Sequence, residues 1–266
     1  MLLLSLNADA DVIGYAYDEN TATLEGLLYT EQYRYLPTHH EVVYRNVQGT
    51  AFAKKSMHYK LSLQTPEIVF SNQNCQESYH ITPSVENADK QPEASNNKNS
   101  IKHSIDVKYG NACADKNVNK RWDINQPYVI DAGFDYFVQQ NLSLIQQEKI
   151  IFSYVLPSRG RDVLLSARSI PCEGLARRFS EHLNNIQELN SVEKNWDYCV
   201  WVKPNSWLLA QFVPAIYLAY SEEKRLQFFS GKSNIGDAKG DYEKVLIFYQ
   251  YNNAKATNTS SVEYRK

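Results

Sequence analysis

The stretch GKSNIGDAKGDY, residues 231–242, has the glycines and the serine that a phosphate-binding loop or a serine nucleophile would need. A phosphate-binding loop leads into a helix, whereas the residues after this stretch alternate like a strand. Ser233 also lacks the GxSxG turn of a nucleophile, because Ile235 stands where the second glycine is required. We therefore expect the tip of a β-hairpin here.

Asp131 and Asp135 are a second candidate, since carboxylates four residues apart on a helix share one face and could act in acid–base chemistry or bind a cation. We favour the alternative that they complement the helix dipole in the first turn. His39 and His40 are adjacent, so on a strand they point to opposite faces and cannot ligate one metal. The sequence predicts no catalytic residue, no metal site and no cofactor, and it favours a role other than catalysis without settling whether the protein is an enzyme.

Arginines are concentrated between residues 159 and 178, where few acidic residues accompany them. Guanidinium groups suit carboxylates and phosphates because they donate two parallel hydrogen bonds. The candidate anion patch consists of Arg159, Arg161 and Arg168. The alternative, which we favour, is a solvated face with ordinary ion pairs.

The elements that must position these residues follow from composition and periodicity. The chain has 266 residues, 43% of them apolar, and a formal net charge of −2, which gives no reason to expect a nucleic-acid partner. Its 19 tyrosines, against only ten glycines and two methionines, favour half-buried β structure.

Alternation with a period of two predicts strands along most of the chain, and it places Tyr29, Tyr33 and Tyr35 on one face. Residues 131–148 have the apolar spacing of an amphipathic helix with Asp131 as its N-cap, and 173–195 have a weaker helical pattern. We predict a mainly β fold, an antiparallel barrel or half-barrel of about ten strands. The 131–148 helix and one or two short helices should cover an open side or end.

Residues 1–10 contain a short apolar run before a small-x-small motif, and we interpret them as a clipped signal peptide or a misplaced start. The alternative is an ordinary N-terminal strand. Residues 11–251 should form a single β-rich domain, 83–100 a polar mobile insertion within it, and 252–266 a frayed tail. No apolar stretch is long enough for a spanning helix, so we do not expect an integral membrane protein.

The four cysteines do not have the local spacing of zinc ligands. Each sequential pair brackets a polar, irregular segment, so we predict disulfides between Cys75 and Cys113 and between Cys172 and Cys199. The alternative is four free thiols in a cytosolic protein. Disulfides would indicate an oxidising compartment, so we predict a periplasmic or secreted protein.

Several segments in order, VIDAGFDYFV, FSYVLPSR, KPNSWLLAQFV and FFSGKSNIGDAKGDYEKVLIFY, resemble an uncharacterised family of envelope-directed proteobacterial proteins. The resemblance covers most of the chain and departs from the family at 83–100 and 173–195. It implies secretion and a β-rich fold, and it carries no activity and no catalytic residue.

The aromatic faces lead to the functional hypothesis. We expect a periplasmic binding module for an apolar or amphiphilic ligand, such as a lipid, held in a concave interior. The alternative is a structural or interaction protein of the envelope with a filled core and no ligand. The sequence leaves the oligomeric state open. The candidate ligand-binding residues are Tyr29, Tyr33, Tyr35, Phe152, Tyr154 and Trp201.

Overall fold

The structure is a computed structural model that describes residues 10–21, 26–86, 102–124, 127–185, 196–206 and 214–252, with the side chains of 184 and 185 left out. Its described part contains fifteen strands and three α-helices. The strands are β1 (Val12–Asp18), β2 (Leu27–Tyr35), β3 (His40–Asn46), β4 (Ala51–His58), β5 (Glu67–Asn72), β6 (Glu77–Glu86), β7 (Lys102–Asn111), β8 (Lys116–Ile124), β9 (Tyr128–Val129), β10 (Ile150–Leu156), β11 (Arg161–Ser169), β12 (Tyr198–Pro204), β13 (Ile216–Tyr220), β14 (Leu226–Lys232) and β15 (Lys244–Tyr251). The helices are α1 (Gly133–Gln147), α2 (Cys172–Arg178) and α3 (Ser180–Asn185).

All fifteen strands belong to one sheet, in the order β8-β7-β6-β5-β4-β3-β2-β1-β15-β14-β13-β12-β11-β10-β9. Neighbours pair antiparallel except β9 and β10, which are parallel. β1 joins the two halves of the sheet, because it pairs with β2 on one side and with β15 on the other. The mainly β prediction is confirmed, whereas the predicted number of about ten strands is too low.

Three strands escaped the sequence analysis for different physical reasons. β5 is only six residues long, and β9 consists of two residues within a segment that precedes the helix. β8 is mostly exposed and polar because it lies at an edge of the sheet, and its inward face carries apolar residues only at Val118, Trp122 and Ile124, interrupted by Lys120.

The sheet curls into a nearly closed barrel. The turn between β10 and β11, residues 157–159, reaches across to β7 and β8 at the opposite edge. Gly160 follows this turn in the left-handed region at φ +55°, and a β-carbon there would lie 2.7 Å from Val118 Cγ1 on β8. Glycine therefore permits the closest approach between the two edges.

Helix α1 packs against the inner face of the sheet, where Phe137, Val138, Leu142 and Ile145 contact residues of β10 to β13. The predicted amphipathic helix is thus present, but its first residues differ from the prediction. Asp131 precedes the helix in the left-handed region at φ +43° and is not the N-cap, a position that Ala132 occupies without a side-chain cap. The Asp131 carboxylate instead turns into the barrel.

Helices α2 and α3 cover the outer face of the sheet. Leu175 and Phe179 pack there against Phe228 and Phe248, and the Cys172–Cys199 disulfide ties α2 to β12. The rest of the predicted 173–195 helical segment, from 186 onward, lies outside the described residues.

The loop between β14 and β15 is the tip of a hairpin, as predicted, with Lys232 opposite Lys244 at its base. The Ser233 hydroxyl is used within the protein, since it accepts a hydrogen bond from the backbone N–H of Ile235 at 3.0 Å and lies 2.9 Å from the Tyr29 hydroxyl. The loop then packs on the predicted Cys75–Cys113 disulfide, which is present.

Residues 83–86 of the predicted 83–100 insertion pair within β6, and residues 87–100 lie outside the described residues. The predicted leader, except residue 10, and the tail from 253 onward also lie outside them. No helix in the described ranges is long and apolar enough to cross a membrane.

Candidate functional site

The inward face of β2 carries Tyr29, Glu31, Tyr33 and Tyr35, because alternate residues of a strand point to the same side of the sheet. Tyr29 is fully packed, with 6% of its surface exposed. Tyr33 is half-buried, and Tyr35 keeps 36% of its surface exposed. The three predicted tyrosines therefore share a face, but only two of them have a surface that a ligand could contact.

Tyr33, Tyr35 and Tyr154 combine an accessible surface with strong desolvation. The surrounding protein raises the pKa of Tyr33 and Tyr35 well above the ordinary value and raises that of Tyr154 as well. These side chains lie on the inner face of the curled sheet, which is concave because the sheet forms a nearly closed barrel. We call the concave inner surface formed by these three residues, with the carboxylates of Glu31, Asp131 and Asp135, the interior site.

One end of the interior site is a cluster of four rings. His40 lies 4.7 Å from the ring of Tyr35 and 4.7 Å from that of Tyr59, and Tyr136 on α1 lies 5.5 Å from Tyr59. Burial, with the nearby His39 as a smaller cause, lowers the pKa of His40 to about 4. His40 is therefore a neutral aromatic group at pH 7, and this end of the site presents faces and hydroxyls instead of positive charge.

Glu31 is a buried carboxylate held by two tyrosines. Its Oε2 accepts hydrogen bonds from the hydroxyls of Tyr33 at 2.8 Å and Tyr249 at 3.3 Å. Gly14 makes room for this arrangement, since a β-carbon there would lie 2.9 Å from the Tyr249 ring. Burial raises the pKa of Glu31, and the hydrogen bonds oppose that shift.

Asp131 links the start of α1 to the opposite wall of the barrel. Its Oδ1 lies 2.6 Å from Lys55 Nζ on β4, and its Oδ2 accepts a hydrogen bond from the Tyr79 hydroxyl on β6 at 2.5 Å. Lys55 is buried, with 2% of its side chain exposed. This ion pair fixes where the helix enters the interior.

Asp135, in the first turn of α1, is a buried carboxylate with two polar neighbours. Gln139 Nε2 donates to its Oδ2 at 2.7 Å. The Tyr220 hydroxyl lies beside the carboxylate as a second, poorly aligned donor, and neither Asp135 Oδ1 nor this hydroxyl has a well-aligned hydrogen bond. Burial raises the pKa of Asp135 to about 6, so the carboxyl is mostly ionised at pH 7.

The remaining predicted residues lie elsewhere. Phe152 faces inward but is covered by Phe137 of α1, with ring centroids 4.5 Å apart and 1% exposure. Trp201 lies on the outer face of β12, because its neighbours Val200 and Val202 face α1. Arg161 and Arg168 differ by seven residues along β11, so they point to opposite faces, and Arg159 lies in the preceding turn. The structure does not bring the three arginines together.

The sequence did not reveal four neighbours of the interior site, His40, Tyr59, Tyr136 and Tyr251, and for Asp135 it favoured a role in the helix dipole over acid–base chemistry or cation binding. Strand parity was the available signal for His40, since it lies opposite Tyr35 in the β2–β3 hairpin. Nothing local could place Tyr136, because a helix position does not reveal which strands it meets. Within the described residues, no group of three or more His, Cys, Asp or Glu could hold a metal ion.

Comparison with known proteins adds no assignment, since no family model, curated protein or solved structure matches the chain. The resemblance to envelope-directed proteins therefore stays a prediction.

Proposed function

We propose that this protein is a binding module that holds an amphiphilic ligand in the interior site. The observation that carries the proposal is that Tyr33, Tyr35 and Tyr154 face the barrel interior, are strongly desolvated and still keep accessible surface. Side chains that only fill a core would pack to near-zero exposure, as Phe152 does. Concave, largely aromatic surfaces with a few polar groups are the usual form of small-molecule sites.

The polar groups of the interior site favour a ligand with a hydrogen-bond donor or a positive charge at its polar end. The Asp135 carboxylate is buried with Gln139 and Tyr220 beside it, and the ring cluster around His40 offers aromatic faces nearby. Aromatic rings attract cations, and a buried carboxylate is stabilised by a donor. An anionic end would meet Glu31, Asp131 and Asp135, whose negative charges Lys55 offsets only in part.

The two disulfides support the location that this role requires. Disulfides persist in oxidising compartments, so Cys75–Cys113 and Cys172–Cys199 are consistent with a periplasmic or extracellular protein. We include a periplasmic or secreted location in the proposal.

The test compares amphiphiles that share a dodecyl chain and differ in the head group: trimethylammonium, maltoside and sulfate, each below its micelle concentration. Native mass spectrometry should show binding of the first two and weaker binding of the sulfate. Tyr35→Ala should weaken binding at least about tenfold, because it removes an aromatic wall. Ile151→Ala, which removes an apolar side chain 46% exposed on β10, is the matched control and should leave binding unchanged.

A second candidate, a structural or interaction protein with a filled core, is favoured by the complete burial of Tyr29 and Phe152. The two candidate functions predict different losses of stability when an inward aromatic side chain is truncated to alanine. We expect Phe152→Ala to lower the free energy of unfolding by roughly 3–5 kcal/mol and Tyr35→Ala by about 1 kcal/mol. If both variants lowered the free energy of unfolding in urea equally, and no amphiphile bound to the protein, the filled core would be supported and the binding module rejected.

A further inference from the structure

A row of charged and aromatic side chains crosses the outer face of the sheet, opposite the interior site. Arg168 on β11 lies directly across from Trp201 on β12, and Trp201 lies across from Tyr217 on β13. Lys149 precedes β10 and extends the same row, since Ile150 pairs with Ala167. Strand register, rather than sequence proximity, therefore brings these residues together.

The row borders a cleft of about 180 Å³, enough for about six water molecules. Its lining combines three cationic side chains with an indole, a hydroxyl and a carboxamide, from Lys149, Ser166, Arg168, Trp201, Lys203 and Asn205. Within the described part of the chain, no carboxylate lines this cleft and none of its three cations forms an ion pair.

Trp201 holds two of the cations at one place. The Arg168 guanidinium lies 4.2 Å from the centre of the indole ring, and Lys203 Nζ lies 4.6 Å from it. The indole also stacks on Tyr217, with an angle of 11° between the rings, while its Nε1–H is buried without an acceptor. Contacts with the ring faces thus orient Trp201, and the indole in turn positions Arg168 and Lys203.

Two like charges beside one ring, with a third lysine nearby, repel one another unless an anion lies between them. An anion in the cleft would relieve this repulsion and accept hydrogen bonds from Arg168, Lys149 and Lys203. The Asn205 amide supplies a further donor, whereas the Ser166 hydroxyl donates to the Lys203 carbonyl at 3.5 Å. A tetrahedral anion with several oxygens uses such a set of donors better than a single carboxylate does.

We propose that this outer cleft is a binding site for a phosphate group, either on a soluble compound or on a lipid head group. The site is separate from the interior site, because the cleft and α1 lie on opposite faces of β11 and β12. The proposal therefore does not depend on the amphiphile hypothesis, and failure of one leaves the other intact.

The experiment titrates the full chain with inorganic phosphate and with pyrophosphate at low salt, using calorimetry and the indole N–H signals in NMR. Arg168→Ala should weaken binding at least about tenfold, because it removes a charge-assisted hydrogen bond. Arg161→Ala is the matched control, since it removes the same charge from an exposed position on the opposite face of β11. It should change the affinity less than about twofold.

Vesicles distinguish the two sources of phosphate. Phosphatidylcholine vesicles with and without phosphatidic acid are sedimented with the protein and with both variants. If the protein sediments only with vesicles that contain phosphatidic acid, and Arg168→Ala does not, the site binds a lipid head group. Binding of phosphate or pyrophosphate in solution, lost in the same variant, assigns it to a soluble compound. The proposal would be overturned if neither the soluble phosphates nor the vesicles bound the protein, or if Arg168→Ala and Arg161→Ala weakened binding equally.

Discussion

Buried charges determine the properties of the barrel interior at the scale of single residues. Lys55 and Asp131 form an ion pair whose side chains are 2% and 9% exposed, so each carries a desolvation cost that the other offsets, helped at Asp131 by the Tyr79 hydroxyl. The pair connects elements far apart in sequence, and we expect it to matter more for stability than the ion pairs at the surface.

Replacing Lys55 by Met should lower the free energy of unfolding by roughly 3–5 kcal/mol, because it leaves Asp131 buried with only the Tyr79 hydroxyl as donor. Adding Asp131→Asn should recover part of the loss, since no charge then remains unpaired. Lys54→Met is the matched control on the same strand, where Lys54 is 54% exposed and pairs with Glu41. It should cost less than about 1 kcal/mol. Equal losses for Lys54 and Lys55 in urea unfolding would contradict this account.

Asp135 gives the protein a specific dependence of stability on pH. Its pKa is raised to about 6 in the folded protein, so the folded state holds this proton more tightly than the unfolded chain does. The resulting stabilisation is complete below about pH 4, the unfolded pKa, and is lost as the pH rises through about 6. Asparagine does not titrate, so Asp135→Asn does not lose this stabilisation as the pH rises. The unfolding free energy of the variant, relative to that of the natural protein, should therefore increase between about pH 4 and pH 8. A difference that stays constant across that range, measured by urea unfolding, would refute the assignment.

Helix α1 and the β14–β15 loop show how the sheet is completed at the scale of elements. The helix covers the inner face of β10 to β13 and reaches the opposite wall through Asp131. The loop is held against the rest of the barrel by Asn72, whose Nδ2 donates to the Gly236 carbonyl at 3.0 Å, and by contact with the Cys75–Cys113 disulfide. Both elements bridge parts of the chain that are distant in sequence.

Gly240 is the position where this loop is least tolerant of a side chain. Its φ is +85°, and a β-carbon would lie 3.2 Å from Cys75 Sγ and from Cys113 Cβ. Gly49 has a similar φ of +80°, but a β-carbon there would have no atom within 4 Å. Gly49→Ala therefore measures the cost of the left-handed backbone alone, about 1–2 kcal/mol, without any steric contact. Gly240→Ala should cost more than Gly49→Ala in chemical unfolding with both disulfides intact. Equal costs would mean that the loop does not press on the disulfide.

The whole molecule is organised around one sheet, and its two halves share an interior. β1 pairs with both β2 and β15, and the edges approach again at Gly160 and Val118. Removing one half would expose apolar residues of the other, because α1 and Asp131 contact both walls. We therefore expect the halves to depend on each other for stability.

The protein should unfold in one cooperative transition despite its length. Far-ultraviolet circular dichroism, which follows the strands, and tryptophan fluorescence, which follows local packing, should give coincident urea curves when the disulfides are intact. The physical reason is that neither half has a closed core of its own. Two separated transitions would show that the halves fold independently.

The sequence by itself determined the β class, the shared face of Tyr29, Tyr33 and Tyr35, the hairpin at 231–242 and both cysteine pairs. These features depend on local alternation, on turn residues and on loop lengths, so local information was sufficient. The sequence did not determine the number of strands, because β8 lies at an exposed edge and β5 and β9 are short. The grouping of Tyr29, Tyr33 and Tyr35 followed from parity, but which of them is accessible depends on α1 and the facing wall.

Only the tertiary structure decided which distant residues meet. Asp131 appeared as a helix cap, yet its left-handed backbone turns the carboxylate toward Lys55, 76 residues away in the chain. Arg168 was grouped with Arg161 by proximity in sequence, yet strand register places it with Trp201 and Lys203. A strand's period fixes the face on which a side chain lies, while its partners depend on register and on closure of the sheet, which are properties of the whole chain.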